Sequence, residues 1–161
     1  MDSVWLTSAS DSPKRQVPKQ PSQYLSRNVH VGASFAAPFE VADAIDAGYS
    51  ANLMWGSDYP HSEGTWAYPE SADEPTRTRY ALRDAFHAAP PAEIRKMVGG
   101  NAIKLFDLDA DQLQKVAIRI NAHTVSDIKA PITDADNAVI AGYQDRERDY
   151  TKAFRRFGMW G

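Results

Sequence analysis

The sharpest short periodicity in the chain is Asn28 to Phe35, NVHVGASF. Here Val29, Val31, Ala33 and Phe35 alternate with His30, Gly32 and Ser34. A period of two predicts a strand with its apolar side on helices and its small-residue side facing elsewhere. Pro38 then opens a helical pattern with Phe39, Val41, Ala42 and Ile45 as its buried stripe and Gly48 as its stop. Asn52 to Ser57 reads as a second strand, cut off at Gly56-Ser57-Asp58. Strand, helix and strand over about thirty residues make the βαβ unit of a parallel sheet.

From Thr76 the period becomes helical. Tyr80, Leu82, Ala85 and Phe86 form one apolar face, and Pro91 opens a further helix, AEIRKMV. Gly99-Gly100 is expected to end that helix and Asn101 to cap the next, AIKLF. Leu113, Val116, Ala117 and Ile120 fit i, i+3, i+4, i+7. After Pro131, Asp134 or Asp136 is expected to cap a last helix running through Val139, Tyr143, Tyr150 and Phe154 to Phe157. Residues 1–24, polar and punctuated by Pro13, Pro18 and Pro21, read as a connector or frayed end. This divides the chain into a connector (1–24), an α/β portion (25–109) and a helical C-terminal extension (110–161).

Composition narrows the function classes. A chain of 161 residues with 43% hydrophobic and 24% charged positions can bury a core. A net charge of −3 gives no electrostatic reason to bind nucleic acid. The absence of cysteine excludes disulfides, thiolate nucleophiles and Cys-ligated zinc. With no signal-peptide pattern and no apolar window of membrane-spanning length, the expectation is a soluble cytoplasmic protein with no membrane partner.

The chemistry concentrates in Leu53 to Trp66, LMWGSDYPHSEGTW. An acidic residue ending a buried strand, beside a histidine-bearing loop, is how barrel enzymes place a catalytic carboxylate. Asp58 and His61 are the residues so placed, with Glu63 following. The plainer readings are a turn or cap aspartate, a solvated loop histidine and a surface glutamate. Ser57, Asp58 and His61 are too close in sequence for triad geometry, and there is no G-x-S-x-G elbow. Trp55, Tyr59, Trp66 and Tyr68 form either an aromatic wall for a ring-bearing substrate or ordinary packing. His30 reads as a satisfied core histidine or a ligand, and His87 and His123 as structural or exposed.

WGSDYPHSEGTW, followed by VGGNAIKLFDLD, resembles the C-terminal part of the amidohydrolase-related family of metal-dependent hydrolases and decarboxylases. The upstream PSQYLSRNVHVGASF looks like that family's approach to strand seven, so the resemblance spans roughly residues 21 to 109. It implies an α/β fold: about the last two strand–helix units of a (β/α)₈ barrel, with an α-helical C-terminal extension. It also implies that Asp58 is a metal ligand that helps activate water or polarise substrate. His61 would be substrate-facing or support the ligands, and Asn101 would tie down the last helix. The cofactor implied is a divalent metal, zinc or manganese.

The family's H-x-H or E-x-H pair and its further strand-end histidines have no counterpart here, since His30, His61, His87 and His123 make no such pair. A barrel takes about 250 residues, so two units do not close one. The expectation is therefore a C-terminal portion of such an enzyme (truncated, mis-started or split), inactive by itself, with most metal ligands outside the chain. Its partners would be a small carboxylated or cyclic substrate and either a complementing N-terminal half or a second copy. The alternative is a non-catalytic piece that acts by self-association or by binding an intact homologous subunit.

Overall fold

The computed structural model describes residues 2–7, 18–34, 36–61, 64–66 and 76–141. Two helices, α1 (Asp2–Thr7) and α2 (Pro21–Asn28), precede strand β1 (Val31–Ala33). Part of the segment expected as a connector is thus helical, and the Asp2 carboxylate joins the two helices by accepting the Ser22 N–H at 3.0 Å. Helix α3 (Pro38–Asp46) follows, then one 3₁₀ turn (Ser50–Asn52) and strand β2 (Leu53–Trp55). The strands pair in parallel, with Val31 opposite Leu53 and Ala33 opposite Trp55. This is the predicted βαβ unit. Gly48 stops α3 at φ +77°, and the Tyr49 N–H reaches back to the Ala44 carbonyl at 2.7 Å.

The core forms where α3 and β2 meet the helices that follow. Helix α4 (Arg77–Phe86) is capped by Thr76, whose hydroxyl accepts the Arg79 N–H at 3.3 Å. It buries Tyr80, Leu82, Ala85 and Phe86, the face its periodicity predicts. Leu82, Ala85 and Phe86 pack with Val41 of α3, Ala89, Ile94, Met97 and Ile128, and Leu53 and Trp55 of β2 border the cluster.

Helix α5 (Pro91–Arg95) begins at Pro91 as expected but does not stop at the glycine pair. It widens into a π-helical turn, Lys96–Gly100, and runs on as α6 (Asn101–Leu105). The Asn101 N–H bonds to the Lys96 carbonyl across this turn, so Asn101 lies inside the continuous helix rather than capping a new one. A Cβ on Gly100 would sit 3.1 Å from the Arg95 carbonyl oxygen, so the second glycine serves close approach within the wide turn.

Helices α7 (Ala110–Arg119) and α8 (Val125–Ile128) complete the chain before a last helical stretch over 134–141. Thr133 caps that stretch, in place of the aspartates expected there. Its hydroxyl accepts the Asp136 N–H at 3.2 Å, and the Asp136 carboxylate returns the bond to the Thr133 N–H at 2.8 Å. The expected course of this helix through Tyr150 and Phe157 lies outside the described residues.

Two apolar faces are less covered than their patterns predict. Phe39 is 66% exposed and Ala42 is exposed, because α3 packs on α4 and the 3₁₀ turn through Val41 and Ile45. Val29 and Val31 are exposed as well, and the substantial contacts of β1 among the described elements are with β2. The described residues hold two strands of a mixed α/β fold, which is compatible with a piece of a barrel and is not itself a closed one.

Candidate functional site

Strand β2 ends at Trp55, and the Gly56 N–H extends the ladder to the Ala33 carbonyl at 3.4 Å. Two residues later the chain turns sharply at Asp58, whose φ of +58° lies in the left-handed region. For a residue with a Cβ that conformation costs roughly 1–2 kcal/mol, least for Asp and Asn. Non-glycine residues held this way cluster at functional sites. The turn brings the Asp58 carbonyl to the His61 N–H at 2.9 Å and the Asp58 carboxylate to the His61 ring, Oδ1 to Nδ1, at 3.0 Å. The Tyr59–Pro60 peptide between them is cis.

This contact defines the chemistry of the pair. An ionised carboxylate only accepts, so the imidazole Nδ1 carries the proton and donates it. Nε2 is the ring nitrogen that Asp58 does not engage, on a side chain that is 67% exposed, while the Asp58 side chain is 25% exposed. Among the described residues neither Nε2 nor Asp58 Oδ2 has a partner. The pair lies at the C-terminal end of a parallel strand.

The loop is held from the far side. Thr65 N–H donates to the Ser57 carbonyl at 2.9 Å, and the Thr78 hydroxyl at the start of α4 donates to the Thr65 carbonyl at 2.8 Å. The His61 carbonyl accepts two donors, the Gly64 N–H at 2.9 Å and the Trp66 indole N–H at 2.7 Å. Trp66 also meets Tyr59 edge to face, with ring centroids 5.1 Å apart. The aromatic residues at this end therefore divide in role. Tyr59 and Trp66 sit in the loop, whereas Trp55 packs on the core. Tyr68 and Glu63 lie outside the described residues.

The remaining histidines are not brought here. His30 is exposed, with no bond among the described residues, and so is not the satisfied core histidine its strand position suggests. His87 bonds through Nδ1 to the Arg83 carbonyl at 3.0 Å, at the end of α4. His123 lies 3.3 Å from the Thr76 hydroxyl, and burial, with the nearby Arg79 charge, lowers its pKa. Asn101 has the tethering role its position implies, donating to the carbonyls of Ser50 at 2.8 Å and Leu53 at 2.7 Å. Asn52 was not singled out by pattern. Its Nδ2 lies within bonding distance of the Leu25, Ser26 and Val29 carbonyls and ties α2 to the start of β2.

A carboxylate just past the end of a parallel strand, paired with a loop imidazole, is where α/β barrel enzymes place catalytic groups. A family model described as Amidohydrolase matches residues 3–108, and the chain belongs to that family. The match begins at residue 3 rather than near 21, so it includes α1 and α2. Searches of curated proteins and of solved structures return no match. Amidohydrolases are generally metal-dependent. Among the described residues no group of three or more His, Asp or Glu side chains is placed to hold a metal ion. Asp58 and His61 fall short of the three protein ligands of a catalytic zinc centre, so the described residues do not complete one. No helix among the described residues is long and apolar enough to cross a membrane.

Proposed function

We propose that this chain supplies the strand-end carboxylate of a metal-dependent hydrolase or carboxy-lyase acting on small carboxylated or cyclic substrates. Asp58 is the metal ligand, for zinc or manganese, and His61 is the substrate-facing group beside it. The remaining ligands come from outside the chain, so the chain in isolation is inactive. The observation that supports this reading most is the Asp58–His61 contact at the end of β2 in a member of the amidohydrolase family. In the isolated chain these residues set a carboxylate oxygen and an imidazole nitrogen side by side, open to a ligand.

Calorimetric titration of the purified chain with zinc and with manganese tests the assignment. Weak binding that falls by at least about tenfold in Asp58→Ala is expected, tenfold being the lower end for losing even an outer partner of a ligand. Unchanged affinity in Asp58→Ala would remove Asp58 from the metal's environment.

A second reading, self-association, is favoured by α7. Leu113, Val116 and Ile120 share one face of this helix and are 41%, 39% and 64% exposed. The helix makes only sparse contact with other described elements. Its N-terminal end carries Asp109 and Asp111, while Lys115 and Arg119 lie toward its C-terminal end. Antiparallel pairing with a second copy sets acids against bases and covers the stripe. Light scattering after size exclusion is expected to show a dimer that Val116→Lys converts to monomer. A monomeric wild-type chain would exclude this reading.

A further inference from the structure

We propose that Gly64 and Trp66 act together as the device that positions the Asp58–His61 pair. The proposal rests on reading that pair as the functional site; it adds Gly64 and gives Trp66 a role other than substrate wall or packing. The His61 carbonyl is the anchor. It takes the Trp66 indole N–H at 2.7 Å and the Gly64 N–H at 2.9 Å, so two donors fix the backbone of the residue whose ring meets Asp58.

The indole can reach that carbonyl only because position 64 has no side chain. A Cβ there would stand 2.5 Å from Trp66 Cδ1, 2.8 Å from Trp66 Nε1 and 2.7 Å from the Ser57 carbonyl oxygen. Gly64 is buried under the ring, and Ser57 is the residue that precedes Asp58. The same ring contacts Tyr59 edge to face, on the other side of Asp58. The indole therefore bears on Tyr59 and His61 while Gly64 lies against the Ser57 carbonyl, and the bond between Thr78 and the Thr65 carbonyl ties the device to α4.

The consequence is orientational. With both donors on its backbone carbonyl, His61 keeps its ring on Asp58; without them the ring is free to turn away. Trp66 and Gly64 are positioning residues, since they act on the pair through the loop.

Two variants separate the ring from its hydrogen bond. Trp66→Phe keeps an aromatic ring but deletes the N–H, and Gly64→Ala keeps the indole but displaces it. The readout is the nitrogen spectrum of the His61 ring in the full chain, with Asp58→Ala as the reference for a freed imidazole. The wild-type ring is expected to show a bonded Nδ1–H. Both variants are expected to shift to the Asp58→Ala spectrum with the chain still folded, Gly64→Ala melting lower because its Cβ must displace the ring and the Ser57 carbonyl. Retention of the wild-type signature in both variants would overturn the proposal.

If either variant fails to fold, exchange of the Trp66 indole N–H in the wild-type chain decides. Slow exchange is expected, and exchange as fast as that of an exposed indole would overturn the proposal. These signals do not depend on metal. A loop that behaves as stated while Asp58→Ala leaves metal affinity unchanged would sink the functional reading and spare the positioning one.

Discussion

Asn101 and Asp58 are both short polar residues near β2, and they do opposite work. Asn101 is buried and spends both amide hydrogens on the Ser50 and Leu53 carbonyls, so it fixes where β2 begins relative to α6. Asn101→Ala removes two hydrogen bonds that tie α6 to the start of β2 and is expected to lower stability by about 1–3 kcal/mol, read from urea unfolding. A loss below the error of that measurement would mean water replaces the amide. Asp58 lies past the other end of the strand, partly exposed, with its backbone in the left-handed region. Its place at the strand end was legible because an apolar run stops there against Gly-Ser-Asp. Its contact with His61 was not, since it depends on a left-handed turn that no periodicity encodes. Gly64 escaped, and Trp66 was read only as a wall or packing residue, for a related reason: one shows its role by what it lacks and the other by a bond to backbone. The Gly-x-Trp spacing just after His61 is the signal that points to them in hindsight.

Elements were read well where one face is buried and less well where continuity depends on backbone detail. Helix α4 follows its stripe because its whole apolar face meets the core. The glycine pair misled because glycine both stops helices and permits close approach, and here Gly100 does the second. The helix over 134–141 is held by a contact invisible in the sequence. The buried Arg83 guanidinium of α4 forms a two-pronged bond with Asp136, at 2.7 and 2.9 Å. That bond, with the Thr133 cap, holds the Asp136 carboxyl well below the usual carboxylate range. A lowered pKa in the folded state means the stabilisation is fully present above the unfolded value, about 3.9, and is lost as pH falls below it. Asp127, bonded to Thr124, and Glu93, bonded to Lys96, shift the same way. Thermal melts are expected to show a steep loss of stability below about pH 4, with Asp136→Asn less stable at neutral pH and less acid-sensitive. Equal acid slopes in wild type and variant would show that the pair does not hold the helix.

At the scale of the whole molecule, the βαβ unit and the family were both legible. A period-two strand, a Pro-started helix and a second strand ending in Asp58 admit few other arrangements, and the family match over residues 3–108 agrees. Helices α1 and α2 were not legible, because prolines spaced through a polar segment read as extended chain, whereas Pro21 in fact occupies the first turn of α2. How completely the site is assembled is a separate matter from fold. The described residues bring one carboxylate and one imidazole to the end of β2 and no third metal donor. The central claim is that this strand end is where the chain meets a divalent metal. Paramagnetic broadening of backbone amide resonances by added manganese tests it most directly. The account predicts broadening centred on Ser57 to His61, absent from α7 and abolished by Asp58→Ala. Broadening that ignores this loop, or that survives the loss of Asp58, would contradict it.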